Sequence, residues 1–282
     1  MKICRDLASL RAACAALRAN GRRLGLVPTM GALHDGHLAL LGAARAAGAD
    51  AVAASIFVNP LQFNANDDLA RYPRDEEGDL AKLRAAGCDL VWLPPVEVMY
   101  PPGSASVIEV AGPSQGFEGD ARPGHFRGVA TVCAKLFLQT GADIAAFGEK
   151  DWQQLQVVSR MARDLDIPVQ IQPVPTIRET DGLAMSSRNR FLQAAERATA
   201  PILYQVMQAT AQAITAGGSV ASLLAEGQAK LAKAGLLPEY FALVAAETLQ
   251  PLAAPDRSAP MRLLAAAKLG TVRLLDNMPV EG

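Results

Sequence analysis

The chain has three histidines, and two of them, His34 and His37, stand three residues apart in "TMGALHDGHLALL". The apolar run "RRLGLVP" before them reads as a buried strand, and the residues after them as a helix running to Gly48. Imidazoles at that spacing share one face of a helical turn. At a helix start they would join unpaired backbone N–H groups and the positive end of the dipole, which together suit a phosphate. Gly31 and Gly36 would let the backbone come close to it. The same two residues would also serve as a cap and as packing, and the pair alone does not choose between these roles.

Four more stretches place reactive or polar side chains after strands or in a joining loop. "SIFVNPLQF" puts Gln62, both donor and acceptor, just past a second buried strand. "RPGHFRGV" sets His125 between Arg122 and Arg127 ahead of a helix, either an anion site or a polar loop. "FGEKDWQQLQ" ends a strand at Gly148 and presents Lys150, Asp151 and Gln154 at a helix start. A lysine there opposes the dipole unless it serves an anion. "DGLAMSSRNRFL" gathers Ser186, Ser187 and Arg188 near Gly182; these would equally make a helix N-cap with a solvated arginine. Ligands in an open parallel sheet bind beyond the carboxyl ends of the strands. Placed there together, these groups describe a polyanion site with a neutral polar pocket attached.

The elements that would position them alternate. "MKICRDLASLRAACAALRANG" reads as a helix with Leu7, Leu10, Cys14 and Leu17 on one face. Strands then follow at "DAVAASIFV", "CDLVWLPP", "ADIAAFG" and "PVQIQPVP", with "SVIEVAG" as a possible edge strand. Helices are expected over "RDEEGDLAKLRAAG", "GVATVCAKLFLQTG" and "DWQQLQVVSRMARDLD". Strands that are apolar throughout and separated by helices imply α/β architecture, a Rossmann-like doubly wound parallel sheet. From about residue 190 two Ala-rich helices precede two strand-like runs, "PEYFALVAAETL" and "MRLLAAAKLGTVRLLDN", which suggests a second, smaller α+β C-terminal domain. The expected division is 1–176 and 177–282, joined by the loop that carries Met185–Arg188.

Composition restricts the function classes. With 27 Lys+Arg against 28 Asp+Glu, the formal net charge of -1 gives no general attraction to nucleic acid or anionic lipid. No stretch is apolar enough to span a membrane, and the amino terminus lacks the apolar core of a secretory signal. Cys4, Cys14, Cys88 and Cys133 form no C-x-x-C pair and have no histidines at zinc-site spacing, so free thiols in a reducing cytoplasm are expected, with no protein-held metal.

The motif "HDGH" resembles the H-x-G-H signature of nucleotidyl-transferring enzymes, and "MSSR" resembles their mobile Ser/Lys-Arg loop. More narrowly, "PTMGALHDGH", "FVNPLQF", "YPRD", "RPGHFRGV", "FGEKDWQQL", "DGLAMSSRN" and "VRLLDN" resemble, in order and over nearly the whole chain, the pantothenate synthetase (pantoate–β-alanine ligase) family. Leu61 and Trp152 depart from the family pattern, with consequences expected only for packing beside Gln62 and Gln154. The resemblance implies ATP-driven joining of pantoate and β-alanine through an acyl adenylate. It implies that His34, His37, Lys150, Ser186, Ser187 and Arg188 act on the phosphates, with His37 the proton donor. It gives the nucleotide the backbone of Met30, Gly31, Ala32, Leu33, His34, Asp35, Gly36 and His37, the turn Gly148, Glu149, Lys150 and Asp151, and also Ile177 and Met185. Asp151 would meet the ribose, Gln62 and Gln154 the pantoate, and Mg²⁺ would arrive with ATP, Asp79 being a candidate to touch it. The "MSSR" loop would close over ATP. A homodimer is the implied assembly. Another adenylyl-transferring enzyme and a non-catalytic ATP-binding module are the alternatives, separable by AMP and pyrophosphate production.

Overall fold

In a computed structural model, residues 1–63, 69, 72–256 and 258–281 are described. The chain forms two compact units: Met1–Gly148 with Gln154–Pro175, and Glu149–Gln153 with Thr176–Gly282. Gly282, the last residue of the expected second domain, lies outside the described residues.

The first unit holds six strands: β1 (Lys2–Cys4), β2 (Leu24–Thr29), β3 (Ala51–Ile56), β4 (Leu90–Trp92), β5 (Ile144–Gly148) and β6 (Gln170–Val174). Their order is β1-β4-β3-β2-β5-β6, and every pairing is parallel. Helices α1 (Leu7–Arg18), α2 (Asp35–Ala46), α3 (Glu76–Ala85), α6 (His125–Thr140) and α7 (Trp152–Asp164), with short α4 (Val96–Met99) and α5 (Glu118–Ala121), fill the connections. Val27, Val52 and Ala54 pack in one cluster with Leu41 of α2 and Leu83 of α3. Leu24 and Leu26, which point the other way along β2, are also fully buried, and α1 and α6 contact this strand. Burial on both faces is why these strands read as apolar runs. The order reverses beside β2, which pairs with β3 on one side and β5 on the other. The segments after β2 and β5 therefore leave the sheet at its switch point, the usual place for a ligand.

The second unit is an antiparallel sheet, β7 (Leu237–Ala245), β8 (Met261–Leu269) and β9 (Val272–Val280), in that order, with helices α8 (Ala194–Thr199), α9 (Ile202–Thr215) and α10 (Val220–Lys233). Leu203, Met207 and Leu231 share a core with Leu263, Ala265 and Leu274.

Five sequence expectations need correction. The amino terminus begins with strand β1, paired to β4, before its helix starts. "SVIEVAG" forms no strand; the Ile108 N–H donates to Thr131 Oγ1 at 2.9 Å instead of to a neighbouring strand. The first Ala-rich helix is two, broken at Pro201, and "MRLLAAAKLGTVRLLDN" is a hairpin turning at Gly270. Finally, Glu149–Gln153 and Thr176, assigned to the first domain from the sequence, pack with the second unit. Among the described residues no helix is long and apolar enough to cross a membrane.

Candidate active site

His34 is the N-cap of α2, extended at φ -136° and ψ 175°, and accepts the His37 N–H on its carbonyl at 2.8 Å. Its own N–H donates to His37 Nδ1 at 3.3 Å, and the ring centroids are 4.1 Å apart. A ring nitrogen that accepts carries no proton, so neutral His37 holds its hydrogen on Nε2. The pair is thus built into the helix start, with His37 fixed as an Nε2–H donor.

The turn leading to it is held from below by α3. Gly31 and Ala32 both have positive φ, 85° and 52°, a conformation that costs a non-glycine residue about 1–3 kcal/mol. Asp79, 1% exposed, offsets that cost by accepting the Ala32 and Leu33 N–H groups on its two oxygens, each at 2.7 Å. Lys82, one turn on, donates to the Leu33 carbonyl at 2.8 Å. Each Asp79 oxygen thus holds one amide of the loop backbone.

Gln62 lies buried in the 3-10 turn Pro60–Gln62 after β3. Its Nε2 approaches Met30 Sδ at 3.2 Å, and its Oε1 accepts from Asn59 Nδ2 at 3.1 Å. Asn59 also donates to the Gly128 carbonyl at 3.0 Å and accepts from the Tyr100 hydroxyl at 2.8 Å. Burial pushes that tyrosine's pKa up, so it remains a donor. A Cβ on Gly128 would collide with the Leu61 carbonyl, so only glycine lets α6 lie this close to the turn. Leu61 itself is 43% exposed.

His125 and Arg122 also serve Gln62. His125 Nδ1 lies 2.9 Å from the Gln62 carbonyl and Nε2 3.3 Å from Arg122 Nη1, while Arg122 Nη2 donates to that carbonyl at 3.3 Å. A carbonyl cannot donate and a guanidinium cannot accept, so His125 is the neutral Nδ1–H form. Arg127 is exposed. Gln154, on α7, is half-buried in this unit.

In the second unit Lys150 and Asp151 lie in the 3-10 turn Glu149–Asp151, with Lys150 Nζ 3.5 Å from Asp151 Oδ1. Trp152 donates from Nε1 to the Ala246 carbonyl at 2.7 Å and carries the Arg262 guanidinium 3.6 Å above its ring. Ile177 and Met185 face each other across a short hairpin, the Met185 N–H donating to the Ile177 carbonyl at 3.0 Å. Ser186 then caps the 3-10 turn Ser187–Phe191 by accepting the Arg188 N–H at 3.2 Å, so part of its role is the expected N-cap. Arg188 is exposed.

Sequence reasoning passed over Asn59, Lys82, Arg262 and Asn277. Asn59 reads as a turn residue before proline. Arg262 was visible as a lone charge in the apolar run "MRLLAAA". The four cysteines are free and buried, and burial raises the Cys133 thiol to about 12. Among the described residues no group of three or more His, Cys, Asp or Glu is placed to hold a metal.

A parallel sheet whose central strand runs into an H-x-G-H helix start is the arrangement of nucleotidyl-transferring α/β enzymes. The pantoate–β-alanine ligase family model matches residues 2–279. The pantothenate synthetase of Acidiphilium cryptum is 59% identical over 281 residues, covering 99% of this chain and all of its own. The crystal structure of the Thermus thermophilus enzyme superposes with a TM-score of 0.93 at 47% identity, each chain covered completely. That of the Francisella tularensis ligase, complexed with β,γ-ATP and β-alanine, gives 0.83 at 32% identity, covering 100% of this chain and 98% of that one. The chain belongs to the pantoate–β-alanine ligase (pantothenate synthetase) family, and it is an enzyme that joins pantoate to β-alanine using ATP.

Proposed function

We propose that the reaction runs through pantoyl adenylate. A carboxylate does not expel oxide to an amine near neutral pH, so pantoate's carboxylate oxygen first attacks the α-phosphorus of ATP and pyrophosphate leaves. The amine of β-alanine then attacks the acyl carbon, loses a proton and displaces AMP. Negative charge grows on the phosphate oxygens in the first step. Fixed N–H and cationic donors aimed at those oxygens are the main catalytic device, with positioning the other.

The observation that carries this reading is the His34–His37 pair at the start of α2, with the His37 proton held on Nε2. His37 is the donor to the phosphates, with His34 beside it. Lys150, Ser186, Ser187 and Arg188 grip the triphosphate and the departing pyrophosphate. The backbone from Met30 to His37, the turn Gly148–Asp151, Ile177 and Met185 receive the nucleotide, with Asp151 on the ribose. Gln62 and Gln154 hold pantoate, and Gln62 borders β-alanine. Two uncharged amides fit a hydroxy acid better than a phosphorylated acceptor, which favours this reading over another adenylyl-transferring enzyme. Mg²⁺ arriving with ATP would neutralise phosphate charge, with Asp79 a candidate to touch it. Closing the Met185–Arg188 segment over ATP would protect the adenylate from water. The assembly we propose is a homodimer in the cytoplasm; the four free thiols suit a reducing compartment.

Product analysis tests the sequence of steps. ATP with pantoate alone should release a single-turnover burst of pyrophosphate, ATP with β-alanine alone should release none, and all three should give continuous AMP. Pyrophosphate release that requires β-alanine from the start would overturn the adenylate route.

A further inference from the structure

Two adjacent residues near the carboxyl end of the chain, Asp276 and Asn277 on β9, are both 3% exposed, and the mechanism above does not use them. Successive strand residues point to opposite faces of a sheet. Asp276 lies on the face that carries Leu274 in the core with α9, while Asn277 shares the other face with Arg262. Each reaches a different nucleotide-handling segment of the second unit.

Asn277 gives both of its side-chain N–H groups to the Lys150 turn. Its Nδ2 donates to the Glu149 carbonyl at 2.9 Å and to the Lys150 carbonyl at 2.8 Å. Its Oδ1 accepts from Arg262 Nε at 2.5 Å, and Arg262 Nη2 in turn donates to Glu149 Oε2 at 2.6 Å. The two Nδ2 bonds grip main chain on both sides of the Lys150 Cα and leave the ammonium alone. Asp276 instead receives Arg178 in a two-pronged ion pair, Nη1 to Oδ2 at 2.6 Å and Nη2 to Oδ1 at 2.9 Å. Arg178 lies over the Tyr204 ring at 3.7 Å and donates to the Gly182 carbonyl at 3.1 Å. It is thereby locked at the base of the hairpin that pairs Ile177 with Met185 and delivers Ser186, Ser187 and Arg188.

We propose that Asp276 and Asn277 are the positioning pair of this enzyme: one strand dipeptide holds the Lys150 turn and the Met185–Arg188 hairpin at a fixed spacing, so that their phosphate-binding groups act together. The inference rests on Lys150 being a phosphate ligand. It explains why a turn that follows β5 in sequence packs with the second unit. It also gives a use to the "LDN" of the tail, which carries no chemistry of its own.

The test is a double-mutant cycle on the full enzyme, read by single-turnover pyrophosphate release with saturating pantoate and ATP. Asn277→Asp keeps the acceptor for Arg262 but sets a carboxylate oxygen against two carbonyls, so the turn should release. Small misplacements of a catalytic group cost up to about 100-fold in rate. We expect adenylate formation at least ~10-fold slower in the single variant, with the pantoate KM unchanged, and no further slowing when the substitution is added to Lys150→Ala. Asn277→Ser, which adds no charge, should act in the same direction; it takes over the cycle if circular dichroism shows the aspartate variant unfolded. A folded variant with the wild-type rate would overturn the proposal, as would an equal slowing in the Lys150→Ala background. A wild-type rate in Lys150→Ala alone would instead remove the lysine from its role, which separates failure of that reading from failure of this one.

Discussion

The turn bearing His34 and His37 and the turn bearing Lys150 follow neighbouring strands, β2 and β5, but they are held in different ways. The histidine turn is fixed by its own unit: Asp79 and Lys82, one helical turn apart on α3, grip the amides and carbonyl of Ala32 and Leu33. The lysine turn is fixed by Asn277 and Arg262, more than a hundred residues further along the chain in an antiparallel sheet. In both cases the anchors leave the candidate phosphate-binding side chain alone: Asp79, Lys82 and Asn277 bind backbone, and Arg262 binds the Glu149 carboxylate. The difference is one of loyalty: the first turn belongs to the sheet it leaves, and the second belongs to the unit that grips it.

Removing the working groups should give the largest effects. Losing one well-aimed donor typically costs about 10²–10³ in turnover. His37→Ala and Lys150→Ala should each slow single-turnover adenylate formation by that order, with circular dichroism unchanged. A normal rate in either would free that turn from its assigned chemistry and break the parallel between the two.

Cutting the anchor in the first unit should be felt in stability as well as in rate. Asp79→Ala would leave two buried N–H groups without an acceptor, at about 1–3 kcal/mol each, and would expose the strain at Ala32. The urea midpoint should fall accordingly, and Asp79→Asn, which restores one acceptor, should recover part of the loss. If Asp79→Ala were as stable as the wild type, the histidine turn would not depend on α3 in the way described.

The smallest effect should come from Trp152. Trp152→Phe keeps an aromatic ring beneath Arg262 but drops the bond to the Ala246 carbonyl, worth about 1 kcal/mol. Denaturant unfolding should register that loss while kcat changes less than about twofold. A large kinetic effect would mean that the indole itself, and not only Asn277 and Arg262, sets the lysine turn.

Much of this enzyme was legible in one dimension because its signals are local. Apolar strands alternating with helices specify a parallel sheet, and a glycine-containing turn between a strand and a helix marks where a ligand meets free amides. His34, His37, Gln62, Lys150 and Ser187 stand out as candidates on those grounds. Short or unusual elements were less visible: β1 has only three residues, "SVIEVAG" has strand composition but bonds to a helix hydroxyl, and only Gly270 and Thr271 separate β8 from β9.

What the sequence settled by itself is which candidate reactive groups the chain carries and which elements end beside them, because spacing and turn chemistry act over a few residues. Tertiary structure alone decided that Asp79 holds the backbone of the histidine turn, that His125 and Arg122 support Gln62, and that Glu149–Gln153 goes with the carboxyl-terminal sheet. Those are long-range hydrogen bonds from buried polar side chains to distant backbone. No periodicity or motif encodes such partners, since only folding brings a donor within bonding distance of its acceptor.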